Sequence, residues 1–277
     1  MFRKLVKYEW AAMIRTMFPM YAAVIVISLL NALFANVGIG SSSPLFELWD
    51  WINYYFGGIA VLLYVAILIG LGVFAFVVIA QRFYKGLLGE EGYLMFTLPV
   101  KVWQLVFSKA LVSFLIGILS GAVAVLSIGI LGGIEFFQAL SMIPSLIKEL
   151  CIQARAYDKE LLVQMVLFGI EVLAALIISG FAFIYHIYFA ASLGHLSRNH
   201  KAALAVVWYI VINTAVGFFT MCMASGVLGL PISISLPEDS YWGIHILGMT
   251  FLLGELAKTL IFGIGTHYIL KNKLNLE

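Results

Sequence analysis

The stretch "FGGIAVLLYVAILIGLGVFAFVVIA", residues 56–80, runs for 25 residues without a charged side chain. As a helix rising about 1.5 Å per residue, it is long enough to cross a hydrocarbon core of about 30 Å. The whole chain shares its character. Of 277 residues, 63% are hydrophobic and 11% charged, and the mean hydropathy is +1.06. Soluble domains use about 45–50% apolar residues, so lipid must be the solvent for most of this surface.

Five further runs are long and apolar enough to span: residues 18–37, 105–131, 161–190, 202–230 and 244–270. The fold class expected is therefore all-α, a polytopic integral membrane protein with six transmembrane helices forming one domain over residues 1–277. The run 161–190 exceeds a perpendicular crossing and must tilt or project beyond the bilayer. The run 18–37 is read as a true span rather than a cleaved leader. It is longer than the usual apolar core of about 7–15 residues in a signal peptide, and no A-x-A site follows it.

Lysine and arginine set the orientation. Arg3, Lys4, Lys7 and Arg15, then Arg82, Lys85, Lys101 and Lys109, then Arg198 and Lys201, and finally Lys271 and Lys273 all fall on one side of a six-span topology. The other side holds Lys148, Arg155 and Lys159. Both termini and the 81–104 connection are expected to be cytoplasmic, with segment 132–160 extracellular and partly helical. The net charge of +2 is too small to argue for nucleic acid. Cys151 and Cys222 fall in different environments, so no disulfide and no metal site is expected.

Within residues 1–17, Val6, Trp10, Met13, Ile14 and Met17 recur at helical spacing, and Arg3, Lys7 and Arg15 lie opposite. This predicts an amphipathic helix in the inner interface, apolar face in lipid, with Pro19 marking the turn into the membrane. Along the third span, Ser113, Gly117, Gly121, Gly129 and Gly133 form a stripe of small residues at four-residue intervals, broken at Val125. The stripe predicts close helix packing.

Several chemistries are missing. No G-x-x-x-x-G-K-[ST] is present, so this chain is not expected to bind ATP in a P-loop. His186, His195, His200, His245 and His267 show no metal-binding spacing, and no serine or cysteine nucleophile motif occurs. Glu90 and Glu91 lie in a connection rather than a span, which argues against an intramembrane glutamate protease. Glu171, Glu255 and Lys258 do lie within spans. Each such charge costs about 2.5–3.5 kcal/mol at mid-membrane and needs a partner or water. Glu255 and Lys258, three apart, can pair on one helix face. These residues either hold the bundle together or line a substrate or proton path.

At "RFYKGLLGEEGYLMFTLPVKVWQLVFSKAL", residues 82–111, the sequence resembles the permease subunits of type-2 ABC transporters from Gram-positive bacteria. The "GEEGYLMFTLPVK" core carries the likeness, with "SKAL" at 108–111, the amphipathic N-terminus and the tail "LKNKLNLE" at 270–277. The resemblance implies a coupling helix between the second and third spans that docks on a separate ATPase subunit, where ATP and Mg would be held; this chain itself would carry no cofactor. Glu90, Glu91, Tyr93, Leu94, Met95 and Phe96 would form the contact. Tyr84, Leu88 and Met95 share helical spacing, and an exposed aromatic and methionine patch fits such a partner. The expectation is a permease of the bacterial plasma membrane, not itself an enzyme, completed by a second permease and exporting an amphipathic cargo such as peptides or lipids. An ion-coupled carrier using Glu171, Glu255 and Lys258, or a membrane sensor or scaffold, is the alternative.

Overall fold

A computed structural model describes residues 2–36, 46–89, 92, 95, 97, 100–157, 159–197, 200–224 and 242–273. Among them all regular structure is helical, and six helices are long and apolar enough to cross a membrane. They are α1 (Phe2–Asn36), α2 (Phe46–Phe83), α3 (Val102–Tyr157), α4 (Lys159–His195), α5 (Lys201–Ala224) and α6 (Trp242–Asn272), with a π-helical turn (Tyr84–Leu88) after α2. Five expected spans lie within these helices wherever they are described. The fifth, 202–230, extends past α5, and its last residues fall outside the described part.

The boundaries differ from the sequence reading in three places. First, α1 is continuous through Pro19, so residues 1–17 do not form a separate helix. Its stripe also faces elsewhere: Met13 and Met17 are buried within the protein, not offered to lipid. They belong to a seam of Glu9, Met13, Met17, Tyr21, Val24, Ser28 and Asn31 that runs on into the span. Amphipathic periodicity cannot tell a lipid-facing stripe from a protein-facing one. Second, α2 begins at Phe46, inside what reads as a loop. Third, segment 132–160 is helical nearly throughout. Within α3 it is split at Gly133, whose φ of 56° and ψ of −146° suit a residue without a Cβ. Beyond this hinge the ring of Phe136 folds back over Gly129, where a Cβ would meet it at 2.9 Å.

The contacts divide the chain into two compact units. One comprises Lys7–Ile79 and Leu115–Leu150, that is, most of α1 and α2 with part of α3. Its core includes Met17, Val24, Leu71, Ile116 and Val123. Hydrogen bonds cross between its helices: Tyr21 to Ser120 Oγ at 2.8 Å, with the Ile116 carbonyl 3.5 Å from the same hydroxyl, and Tyr64 to Ser127 Oγ at 2.7 Å. Each serine donates its own proton back to α3, Ser120 to the Ile116 carbonyl and Ser127 to that of Ala124, both at 2.8 Å. The tyrosines are therefore the donors. Ser113, seven residues before Ser120, meets the Tyr188 hydroxyl at 2.9 Å.

In this unit the face of α3 that packs carries Ser120 and Ser127. The expected glycine stripe is not where packing occurs at its centre. Gly117 and Gly121 are exposed, and a Cβ at either would meet nothing within 4 Å. Small residues permit close approach but do not compel it, and here tyrosine hydroxyls needing acceptors set the rotation of the helix.

The other unit comprises Met1–Val6, Ala80–Phe114 and Cys151–Glu277. In it α4 packs chiefly against α6 and then α5. The α4–α5 link is tight: a Cβ on Gly194 would lie 2.4 Å from the Ala205 backbone nitrogen.

Interhelical hydrogen bonds in membranes contribute about 0.6 kcal/mol on average and up to about 1.7. Tyr21→Phe and Tyr64→Phe are each expected to lower stability within that range, measured by reversible unfolding in mixed micelles. Gly117→Ser and Gly121→Ser, at the exposed positions, are each expected to change it by less than the uncertainty of that measurement.

Candidate functional site

Two rules for charges in lipid, pairing and enclosure, both act along the α4–α6 seam. The helices run parallel. Glu171 meets His245, Tyr185 lies beside Gly263 and Phe189 beside Gly265, so the numbers rise together on both. Parallel α4 and α6 are what α5 requires if it crosses back between them.

At one end of the seam, His245 Nδ1 donates to Glu171 Oε1 at 2.8 Å, and both side chains are only 11% exposed. The second carboxylate oxygen, Oε2, is buried and has no hydrogen-bond partner among the described residues. It sits over Gly248, where a Cβ would approach it to 2.7 Å. Further along α6, Lys258 Nζ donates to Glu255 Oε1 at 2.5 Å, as the three-residue spacing predicts. Thr259 donates to the Glu255 carbonyl at 2.8 Å and lies 3.5 Å from the Ile178 carbonyl of α4. One turn beyond Lys258, the His186 ring stacks between Tyr209 of α5 and Phe262 of α6, with centroids 4.5 and 5.1 Å apart.

All three intramembrane charges named from the sequence therefore lie on this seam, although Glu171 is not joined to the other two. His245 and His186 are the residues sequence reasoning missed. For His245 a signal existed. A buried glutamate needs a donor, and a histidine near the start of a span two crossings later can supply one at the same depth.

A second feature lies at the far end of α4. Phe83 stacks on Tyr188 with centroids 4.0 Å apart, Tyr84 meets the His195 ring edge-on at 6.0 Å, and Leu87 and Leu88 are buried. The π-helical turn is thereby fastened to α4. Such turns widen the helix by one residue and recur at functional positions. Here the turn corrects the expected patch: Leu88 points into the protein rather than outward with Met95. Met95 is helical and half-buried. Glu90, Glu91, Tyr93, Leu94 and Phe96 lie outside the described residues. No group of three metal-ligating side chains occurs among the described residues.

The chain is thus an all-α, multi-pass membrane protein with a charged seam between two parallel helices. Comparison with protein-family models, with curated proteins and with solved structures finds no match.

The Glu255–Lys258 pair gives an asymmetric test. Lys258→Met leaves a carboxylate that is 11% exposed without its cation, a loss of about 3–5 kcal/mol for a buried pair. Glu255→Gln is expected to cost less, because the Lys258 side chain is 30% exposed and its long stem can turn outward. The double change to Gln and Met is expected to recover most of the folded yield in detergent. Single variants as stable as the parent would show that the two side chains do not depend on each other.

Proposed function

We propose that this chain is the permease subunit of an ATP-driven exporter of the type-2 ABC class. A separate ATPase subunit binds ATP and Mg, docks on the 81–104 connection from the cytoplasm and moves it. A second permease subunit, identical or related, completes the path through a bacterial plasma membrane. The cargo is amphipathic, a peptide or a lipid.

The observation that carries this reading is the fastening of the π-helical turn and the residue before it to α4, Tyr84 against His195 and Phe83 against Tyr188. A push on residues 90–98 reaches that turn first. Stacked aromatic rings and buried leucines resist shear better than exposed polar contacts, because packed interiors respond as bodies rather than as fluids. The displacement passes to α4, which carries Glu171 on the seam with α6. The sequence resemblance over residues 82–111 supports the same assignment.

An ion-coupled carrier is the second reading, favoured by the Glu171–His245 and Glu255–Lys258 pairs in the seam. Such a carrier needs titratable groups inside the membrane but no docking segment.

Purification in mild detergent separates the two. The exporter reading expects a nucleotide-binding chain to co-purify and cysteines introduced at Tyr93 and Phe96 to cross-link to it. Tyr93→Ala with Phe96→Ala, and separately Tyr188→Ala, are expected to uncouple ATP hydrolysis from transport while the helices remain folded. Transport in vesicles that stops when a proton gradient is collapsed, continues without ATP and yields no cross-linked partner would replace the exporter by the carrier.

A further inference from the structure

Beside Glu171 a groove of about 470 Å³ opens between α4 and α6. Its volume falls within the range of small-molecule sites, about 300–1,000 Å³. Phe168, Val172, Leu176 and Phe251 line it, and among the described lining residues Glu171 supplies the one ionisable group. Between Phe168 and Ser179 it follows α4 for about 16 Å at 1.5 Å per residue.

We propose that this groove binds an amphiphile with a single alkyl chain and a primary ammonium head. The head donates to Glu171 Oε2, and the chain lies along Val172, Leu176 and Phe251.

The chemistry selects this ligand by elimination. A buried carboxylate oxygen without a donor is costly where no water reaches it. The missing partner must therefore be a donor, and a cationic one gains most. An anion would be repelled by the carboxylate. A metal ion would find one carboxylate and no second oxygen ligand among the ionisable groups of the described lining. A guanidinium binds best through both carboxylate oxygens, but Oε1 is already held by His245. An ammonium is compact and needs only one. Gly248, where a Cβ would come within 2.7 Å of Oε2, lets the carboxylate lie close against α6. The apolar walls then take the chain, which distinguishes this ligand from a small polar amine. The proposal goes beyond the exporter reading and does not depend on which energy source drives the protein.

The test is direct binding of dodecylamine, spin-labelled on its chain and protonated at neutral pH, to the purified protein in phosphatidylcholine nanodiscs. Dodecanol and dodecyl sulfate with the same label are the controls. Saturable binding of the amine is expected, with the alcohol and the sulfate weaker by roughly tenfold to a hundredfold, the range that a hydrogen bond to a charged group provides. Glu171→Gln is expected to weaken the amine to the level of the alcohol. Leu176→Trp, which fills the groove without touching the carboxylate, is expected to weaken amine and alcohol alike. Because loss of Glu171 also removes the bond to His245, the comparison of amine with alcohol on the unaltered protein decides the matter if that variant does not fold. Repeating the measurement with lysophosphatidylethanolamine, a single-chain lipid with a primary ammonium head, in the disc identifies the source. Displacement of the probe assigns the ammonium to a lipid headgroup, and unchanged binding assigns it to a free amine. Equal binding of alcohol and amine, or a folded Glu171→Gln protein that binds the amine as the parent does, would overturn the proposal.

Discussion

Inside a bilayer no water completes an unfinished hydrogen bond, and that constraint organises this protein. Apolar side chains gain little by leaving lipid for one another, so which faces meet depends on close packing and on polar contacts. Tyr21, Tyr64 and Tyr188 each bring a hydroxyl to a serine on α3, and the serines at 113, 120 and 127 present one face because seven residues make nearly two turns. On the α4–α6 seam, Glu171 finds His245 and Glu255 finds Lys258. Each contact between helices fixes a rotation and a depth that packing alone would leave loose, whereas Glu255 and Lys258 satisfy one another within α6.

The same constraint makes an incomplete site conspicuous. Glu171 has one oxygen satisfied and one without a partner among the described residues, at the edge of an apolar groove. In water such an oxygen would mean nothing, since solvent would fill it. Between membrane helices it identifies a place where a donor belongs. α4 joins this place to the π-helical turn, because Tyr188, near its other end, holds Phe83. One rigid helix thus connects the segment expected to meet a partner with the charged seam. That connection gives the proposed exporter a mechanical path, and it is absent from a simple list of spans.

Much of the architecture is legible in the sequence because length and hydropathy are one-dimensional properties. A run such as 56–80 is long enough and apolar enough to span whatever its neighbours do. The three-residue spacing of Glu255 and Lys258 likewise implies their pairing, since both partners sit on one helix. The sequence misleads where the answer depends on which way a face points. The stripe through Met13 and Met17 reads as lipid-facing and is buried in protein. The glycines at 117 and 121 read as a packing face and are exposed. Leu88 groups by spacing with an outward patch and lies inside.

The sequence by itself determined the solvent, the helical class, the six spans and the three intramembrane charges, because each follows from local composition and rise per residue. Only the tertiary structure decided the partners. Glu171 and His245 are 74 positions apart, and Phe83 and Tyr188 lie on different helices. Their meeting depends on α4 and α6 running parallel and on the rotation of each helix about its axis. Periodicity shows that a helix has two faces. Which neighbour each face meets is settled by hydrogen bonds, ring stacks and close packing between residues far apart in the chain.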